Sequence, residues 1–146
     1  MREENVTESF KSGDTFELAK GLGERAKKGG VYALYGDLGA GKTVFCQGFA
    51  EGLGIREHVN SPTFTILSIY EGGRLPMYHF DVYRIEEPEE MEETGFEDYL
   101  SGEGVCLIEW AQLIEELLPG DTVRVTIEKD PEKGEDYRRI TVSEDI

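Results

Sequence analysis

Positive charge is scarce in this chain. Lys and Arg number 15 against 31 Asp and Glu, a formal net charge of −16 over 146 residues. Such a surface repels phosphodiester backbones and argues against direct, tight nucleic-acid binding, while leaving a basic protein partner open. Cysteine is nearly absent. Cys46 and Cys106 are the only two, with no CxxC or metal-like spacing, and both sit among apolar neighbours. Two buried free thiols are expected, not a disulfide framework. No apolar run approaches the ~20 residues of a membrane span. The start, Met1-Arg2-Glu3-Glu4-Asn5, lacks the apolar segment of a signal peptide. These absences point to a cytoplasmic protein. Repeats and linkers are missing too, so residues 1–146 are expected to form one domain with one core.

What is present is a succession of apolar segments with distinct periods. Residues 5–10 read as a short first strand. Asp14-Thr15-Phe16-Glu17 has the form of a capping box, Asp14 capping and Glu17 reaching back. Phe16, Ala19, Leu22 and Ala26 then recur at helical spacing, and Lys27-Lys28-Gly29-Gly30 is a helix stop. Val31-Tyr32-Ala33-Leu34-Tyr35 is a continuous apolar run suited to a buried parallel strand. A helix over 42–53 would bury Phe45, Phe49 and Leu53 and stop at Gly54. Residues 66–70 and 75–80 read as a hairpin about Glu71-Gly72-Gly73-Arg74. Residues 86–93, six of them glutamate, read as a solvated helix face, and 96–100 as a short helical piece. Val105-Cys106-Leu107-Ile108-Glu109 is a second buried strand, and 111–118 a helix closed by Pro119-Gly120. Residues 122–129 and 137–142 alternate apolar and polar as a last hairpin. Crossovers mixed with hairpins predict an α/β domain of the P-loop type, with a mixed, mostly parallel central sheet flanked by helices.

The strongest chemical signal is Gly36-Asp37-Leu38-Gly39-Ala40-Gly41-Lys42-Thr43, which fits GxxxxGK[ST] between an apolar strand and an amphipathic helix. Glycines let successive backbone N–H groups point into one concavity, and the following helix adds the positive end of its dipole. Lys42 is expected to reach the β- and γ-phosphates and Thr43 to place its hydroxyl on Mg²⁺. Such a site needs a carboxylate at the end of a neighbouring strand, because Mg²⁺ takes hard oxygen ligands. Glu109 ends the cleaner apolar run and is the expected magnesium ligand. Asp81 then orients or deprotonates the attacking water, or holds a magnesium-bound water; its structural alternative is a cap or an ion pair with Arg84. Ser61-Pro62-Thr63-Phe64-Thr65 lies where a switch loop would sense the γ-phosphate, with a plain Ser-Pro turn as the alternative. Trp110 is expected partly buried and beside the nucleotide. His79 and His58 show no partners in the sequence that indicate a metal or a triad; His79 reads as a strand residue at the site edge. Arg138 and Arg139 read as outward strand residues, one of which reaches the nucleotide.

With these residues assembled, the chain resembles the TsaE (YjeE) family, the ATPase of bacterial tRNA threonylcarbamoyladenosine synthesis. The resemblance rests on the glycine loop, then the segment 61–65, then His79-Phe80-Asp81-Val82-Tyr83-Arg84, then Ile108-Glu109-Trp110, all in order. The first block alone is generic, whereas the four together are specific. Ala111 departs from the proline that usually follows the tryptophan. The resemblance implies an enzyme that hydrolyses MgATP weakly alone. It would act beside TsaD and TsaB, which transfer the threonylcarbamoyl group to tRNA, and would meet tRNA only through them. Phosphate contacts would come from Asp37, Leu38, Gly39, Ala40, Gly41 and Lys42, the metal from Thr43 and Glu109, and adenine contacts from around Ser12 and Thr15 and near Arg138. Thr63 and Trp110 would complete the nucleotide site. A small-molecule kinase and a non-hydrolysing nucleotide switch are the competing readings. The acidic, arginine-free stretch after Arg84 argues against a kinase lid.

Overall fold

Two apolar runs organise the molecule. In the computed structural model, which describes residues 2–36, 41–59 and 66–145, they are β2 (Val31–Tyr35) and β5 (Val105–Glu109), paired in parallel at the middle of the sheet. β4 (Met77–Asp81) lies parallel beyond β5, and β6 (Val123–Lys129) parallel beyond β2. β3 (Leu67–Tyr70), β7 (Arg138–Asp145) and β1 (Arg2–Ser9) add antiparallel strands at the edges, giving seven strands in the order β1-β7-β6-β2-β5-β4-β3. The sheet is mixed, as expected. It is parallel only through its four central strands, because hairpins and the return of the N-terminal strand build both edges.

Strand alternation divides the core into two layers. Tyr32, Leu34, Met77, Val105 and Leu107 face α1 (Ser12–Arg25) and α2 (Lys42–Gly52). Val31, Ala33, Phe80, Cys106 and Ile108 face α3 (Phe96–Leu100) and two 3-10 helices, Pro88–Thr94 and Ala111–Leu117. Both faces are covered, which is why the central strands read as unbroken apolar runs. On α2, Phe45, Phe49 and Leu53 are fully buried, each worth about 1.5–3 kcal/mol of burial. α1 packs on α2 through glycines. A Cβ at Gly23, Gly48 or Gly52 would come within 2.2–2.4 Å of a backbone oxygen of the opposite helix.

Several local details differ from the sequence reading. α1 starts at Ser12 with Lys11 as its N-cap and no side-chain cap. Asp14 lies inside the first turn, where Oδ2 accepts from the Phe10 N–H at 2.9 Å. The helix ends at Arg25, and Lys27 and Lys28 fall beyond it. Its last carbonyls are met from afar: the Arg74 guanidinium donates to Gly23 O and Ala26 O, both at 2.9 Å. The glutamate stretch is a 3-10 helix that buries Met91, with Glu90 turned back to accept from Glu86 N and Glu87 N. Residues 111–117 are 3-10 rather than α, with a kink at Ile114. Both cysteines are buried free thiols, as expected.

Candidate functional site

The C-terminal ends of β2, β5 and β4 meet the N-terminus of α2, the usual place for a ligand in an open α/β sheet. Gly41 precedes α2 with φ of +100°, a conformation glycine adopts without a Cβ penalty. Lys42 is buried. Its Nζ donates to Gly36 O at 2.9 Å and sits 3.8 Å from the centre of the Trp110 ring. Asp37, Leu38, Gly39, Ala40 and Thr63 lie outside the described residues. Thr43 is exposed on the first turn of α2.

Trp110 follows directly after β5 at φ of +62° and is the one non-glycine residue of positive φ among the described residues. A side chain held there costs roughly 1–2 kcal/mol. The turn swings the chain off the sheet and lays the indole, half-buried, between Lys42 and the exposed Tyr83, whose ring centre is 4.8 Å away.

Alternation explains the carboxylates. Met77 and Val105 face α2, so His79 and Asp81 on β4, and Leu107 and Glu109 on β5, face it too. The register pairs Asp81 with Glu109. Glu109 is buried, and His79 is fully enclosed with Nε2 2.8 Å from Glu109 Oε2. Cys46 Sγ, projecting from α2, is 3.5 Å from the same nitrogen. His79 therefore has hydrogen-bond partners that the sequence alone did not reveal, and it lies in the interior rather than at the edge. Burial, followed by the nearby charges of Glu109 and Asp81, pushes the Cys46 thiol well above its usual range. Asp81 is held above the ordinary carboxylate range, first by burial and then by Glu109, against the Tyr83 N–H that Oδ1 accepts at 3.1 Å. The capping alternative for Asp81 is thus real and coexists with a place beside Glu109.

A second concavity, about 120 Å³, opens beside the start of α2. It is lined by Ser12 and Thr15 of α1, Gly41 and Val44, and Asp136 and Arg138. The structure thus brings the expected Ser12, Thr15 and Arg138 together next to Gly41. Val44 and Asp136 were missed in the sequence, where helix periodicity and a loop aspartate give no distinguishing signal. Ser9 Oγ gives its hydrogen to Lys11 O at 2.9 Å, so at 2.8 Å it accepts from the Thr15 hydroxyl. Arg139 points away, onto Glu128. A larger hollow of about 810 Å³ lies at the far end of α2, lined by residues such as Lys20, Glu51 and Arg56. It is wide and open, and among the described residues neither Lys42 nor Asp81 nor Glu109 lines it.

A family model described as "Threonylcarbamoyl adenosine biosynthesis protein TsaE" matches residues 10–140. The chain is 53% identical over 128 residues to the tRNA threonylcarbamoyladenosine biosynthesis protein TsaE of Bacillus subtilis, covering 88% of this chain and 78% of that protein. The chain belongs to the TsaE family. The protein of the same name from Treponema pallidum is 43% identical over 114 residues, covering 78% of this chain and 84% of that one. The crystal structure of Bacillus subtilis YdiB superposes with a TM-score of 0.81 at 42% identity, covering 99% of this chain and 87% of that one. The fold, a single α/β domain with flanking helices on a seven-stranded mixed sheet, is therefore shared with a solved relative.

Against this TsaE scaffold the donor set can be tested for Mg²⁺. Glu109 and Asp81 share one sheet face and one register position, and Thr43 lies in the first turn of the adjoining helix. Oxygen donors of this kind suit a hard cation. Cys46, His79 and Glu109 also place one ligand-type atom each within 4.8 Å of one another. No helix among the described residues is long and apolar enough to cross a membrane.

Proposed function

We propose that the chain is a P-loop ATPase that binds MgATP, turns it over slowly alone, and supports the TsaD–TsaB pair in threonylcarbamoyl transfer to tRNA. The carrying observation is the convergence of Lys42, at the N-terminus of α2, with Glu109 and Asp81 at the ends of two adjacent parallel strands. Backbone N–H groups of residues 37–41 and the α2 dipole would hold the phosphates, and Lys42 would exchange its contact with Gly36 O for a phosphate oxygen. Thr43 and Glu109 would hold magnesium, which supplies charge neutralisation at the β- and γ-oxygens. Asp81 would orient the attacking water. Ser12, Thr15 and Arg138 would line the adenosine end, Trp110 would flank the phosphates, and Thr63 would sense the γ-phosphate.

Slow turnover would follow from the lack of an arginine between Arg84 and the final hairpin to serve as a finger in cis. No arginine or lysine occurs between Arg84 and Arg124. Arg124 is engaged by Glu115 at 2.7 Å. An arginine finger is worth ~10³–10⁵ in rate, so a partner would have to supply it. With a net charge of −16, the chain would work in the cytoplasm beside basic partners and leave the tRNA to them.

The test is phosphate release by the purified chain, with and without TsaD and TsaB. Slow release, raised by the pair, is expected. Lys42→Ala should weaken nucleotide binding by about 10- to 100-fold, the worth of one charge-assisted hydrogen bond, with the fold retained. Fast hydrolysis by the chain alone, indifferent to the pair, would refute the partner role. Unchanged nucleotide affinity in Lys42→Ala would refute the P-loop reading, and phosphate appearing only with an added small acceptor would favour a kinase.

A further inference from the structure

We infer that His79 is a positioning residue for Glu109: it donates from Nε2 to the carboxylate and fixes it for cation binding. The inference rests on the reading of Glu109 as a magnesium ligand. His79 is 0% exposed and Glu109 3%, and they lie 2.8 Å apart on the same face of β4 and β5. A buried carboxylate is costly unless hydrogen bonds satisfy it, and one held by a fixed donor arrives at a cation in a single orientation.

The proton can be placed. An ionised carboxylate only accepts, so the contact needs the hydrogen on Nε2. Nδ1, also buried, has no hydrogen-bond partner among the described residues. A hydrogen there would be a buried donor without an acceptor. The same fact decides against a transition-metal site in the cluster of Cys46, His79 and Glu109. A metal on Nε2 would send the ring proton to Nδ1, where ligating histidines normally find a second acceptor and this one has none among the described residues. The cluster is therefore a hydrogen-bonded support. Cys46, 3.5 Å from Nε2, packs against the ring as a weak partner.

Two substitutions separate this from a merely structural histidine. In His79→Gln the amide nitrogen falls near the place of Nε2, within reach of Glu109. In His79→Asn it falls near the place of Nδ1, on the wrong side. Nucleotide affinity of the full chain, titrated with magnesium, is the readout, alongside affinity in EDTA and the melting temperature. His79→Asn should raise the half-saturating magnesium concentration by about tenfold, the lower end of what lost support for a ligand costs. His79→Gln should stay close to wild type, and both should keep wild-type affinity in EDTA. Equal magnesium dependence in the two variants would overturn the inference. Nitrogen-15 NMR of the two histidines in the wild-type chain needs no variant: an Nε2 of His79 without its proton would also overturn it. Wild-type affinity indifferent to magnesium would overturn the cation reading of Glu109 and the inference with it. Magnesium dependence without the Gln–Asn split would overturn only the role of His79.

Discussion

Replacing Gly48 with alanine should destabilise the chain, although alanine is the better helix former. A Cβ on Gly48 would stand 2.4 Å from Phe16 O and 3.1 Å from Ala19 Cβ, where ordinary contact begins at 3.4 Å. The obstructing oxygen belongs to the backbone of α1, so no side chain can swing away. The helices must separate by about 1 Å, which forfeits a quarter to a half of each dispersion contact across the gap. Overpacking costs ~1–3 kcal/mol, and this clash lies at the upper end. Helix propensity returns ~1 kcal/mol. The net is ~2 kcal/mol of destabilisation, or a fall of about 4–8 °C in Tm for a chain of this size. Gly21→Ala on α1 is the control. Its Cβ would meet only the flexible end of Arg25, at 3.9 Å, so the propensity gain of ~1 kcal/mol should appear undiminished as a rise in Tm. Thermal melts by circular dichroism read both. Because α1 carries Ser12 and Thr15 and α2 carries Val44 around one cavity, Gly48→Ala should also weaken nucleotide binding more than Gly21→Ala. A Gly48→Ala chain that melts at or above wild type would refute the close-packed seam.

Two further outcomes follow from the site's electrostatics. The fold holds the Asp81 pKa above its ordinary value, so the stability linked to its proton is complete below the usual aspartate range and is lost as pH rises through the raised value. Asp81→Asn should therefore be more stable than wild type near neutral pH, with the gain vanishing near about pH 3, below the ordinary aspartate value; urea unfolding at both pH values checks this, and a pH-independent difference contradicts the assigned cause. Emission of Trp110, the only tryptophan, should change on saturation with ADP, because Lys42 must leave its place 3.8 Å above the indole to reach phosphate. A spectrum unmoved by saturating nucleotide would show that Lys42 keeps that place.

Where an element is dictated by its own residues, the sequence reading and the structure agree. The runs 31–35 and 105–109 are strands at those bounds, because apolar residues on both faces suit only a strand covered on both sides. The disagreements occur where a distant residue intervenes. Two lysines and two glycines mark a local helix stop at 27–30, but Arg74 caps the carbonyls of α1 from the turn before β4. The segment after Trp110 has helical periodicity, yet the positive φ of Trp110 starts it as a tight 3-10 turn. The pairing of β1 with β7 joins Arg2 to Asp145, a closure for which local sequence carries no signal.

The candidate site was legible as a set of residues and illegible as a geometry. Lys42, Asp81, Glu109 and Trp110 were named because residue type beside an apolar run suffices to name them. The bond between His79 and Glu109 depends on register. Parity along β4 puts His79 on the face of Met77, and parity along β5 puts Glu109 on the face of Leu107. Whether those faces coincide, and whether position 79 reaches position 109, is settled by the alignment of two strands joined through a long crossover. Slipping one strand by a residue would turn its side chains to the opposite layer and separate the imidazole from the carboxylate by the thickness of the sheet. The apolar layers forbid that slip, since it would carry Asp81 and His79 in among Phe96 and Ile114 and bring Phe80 out toward α2. The packing that secures the core therefore also aligns His79 with Glu109, and a change of core register would abolish the site before it abolished the sheet.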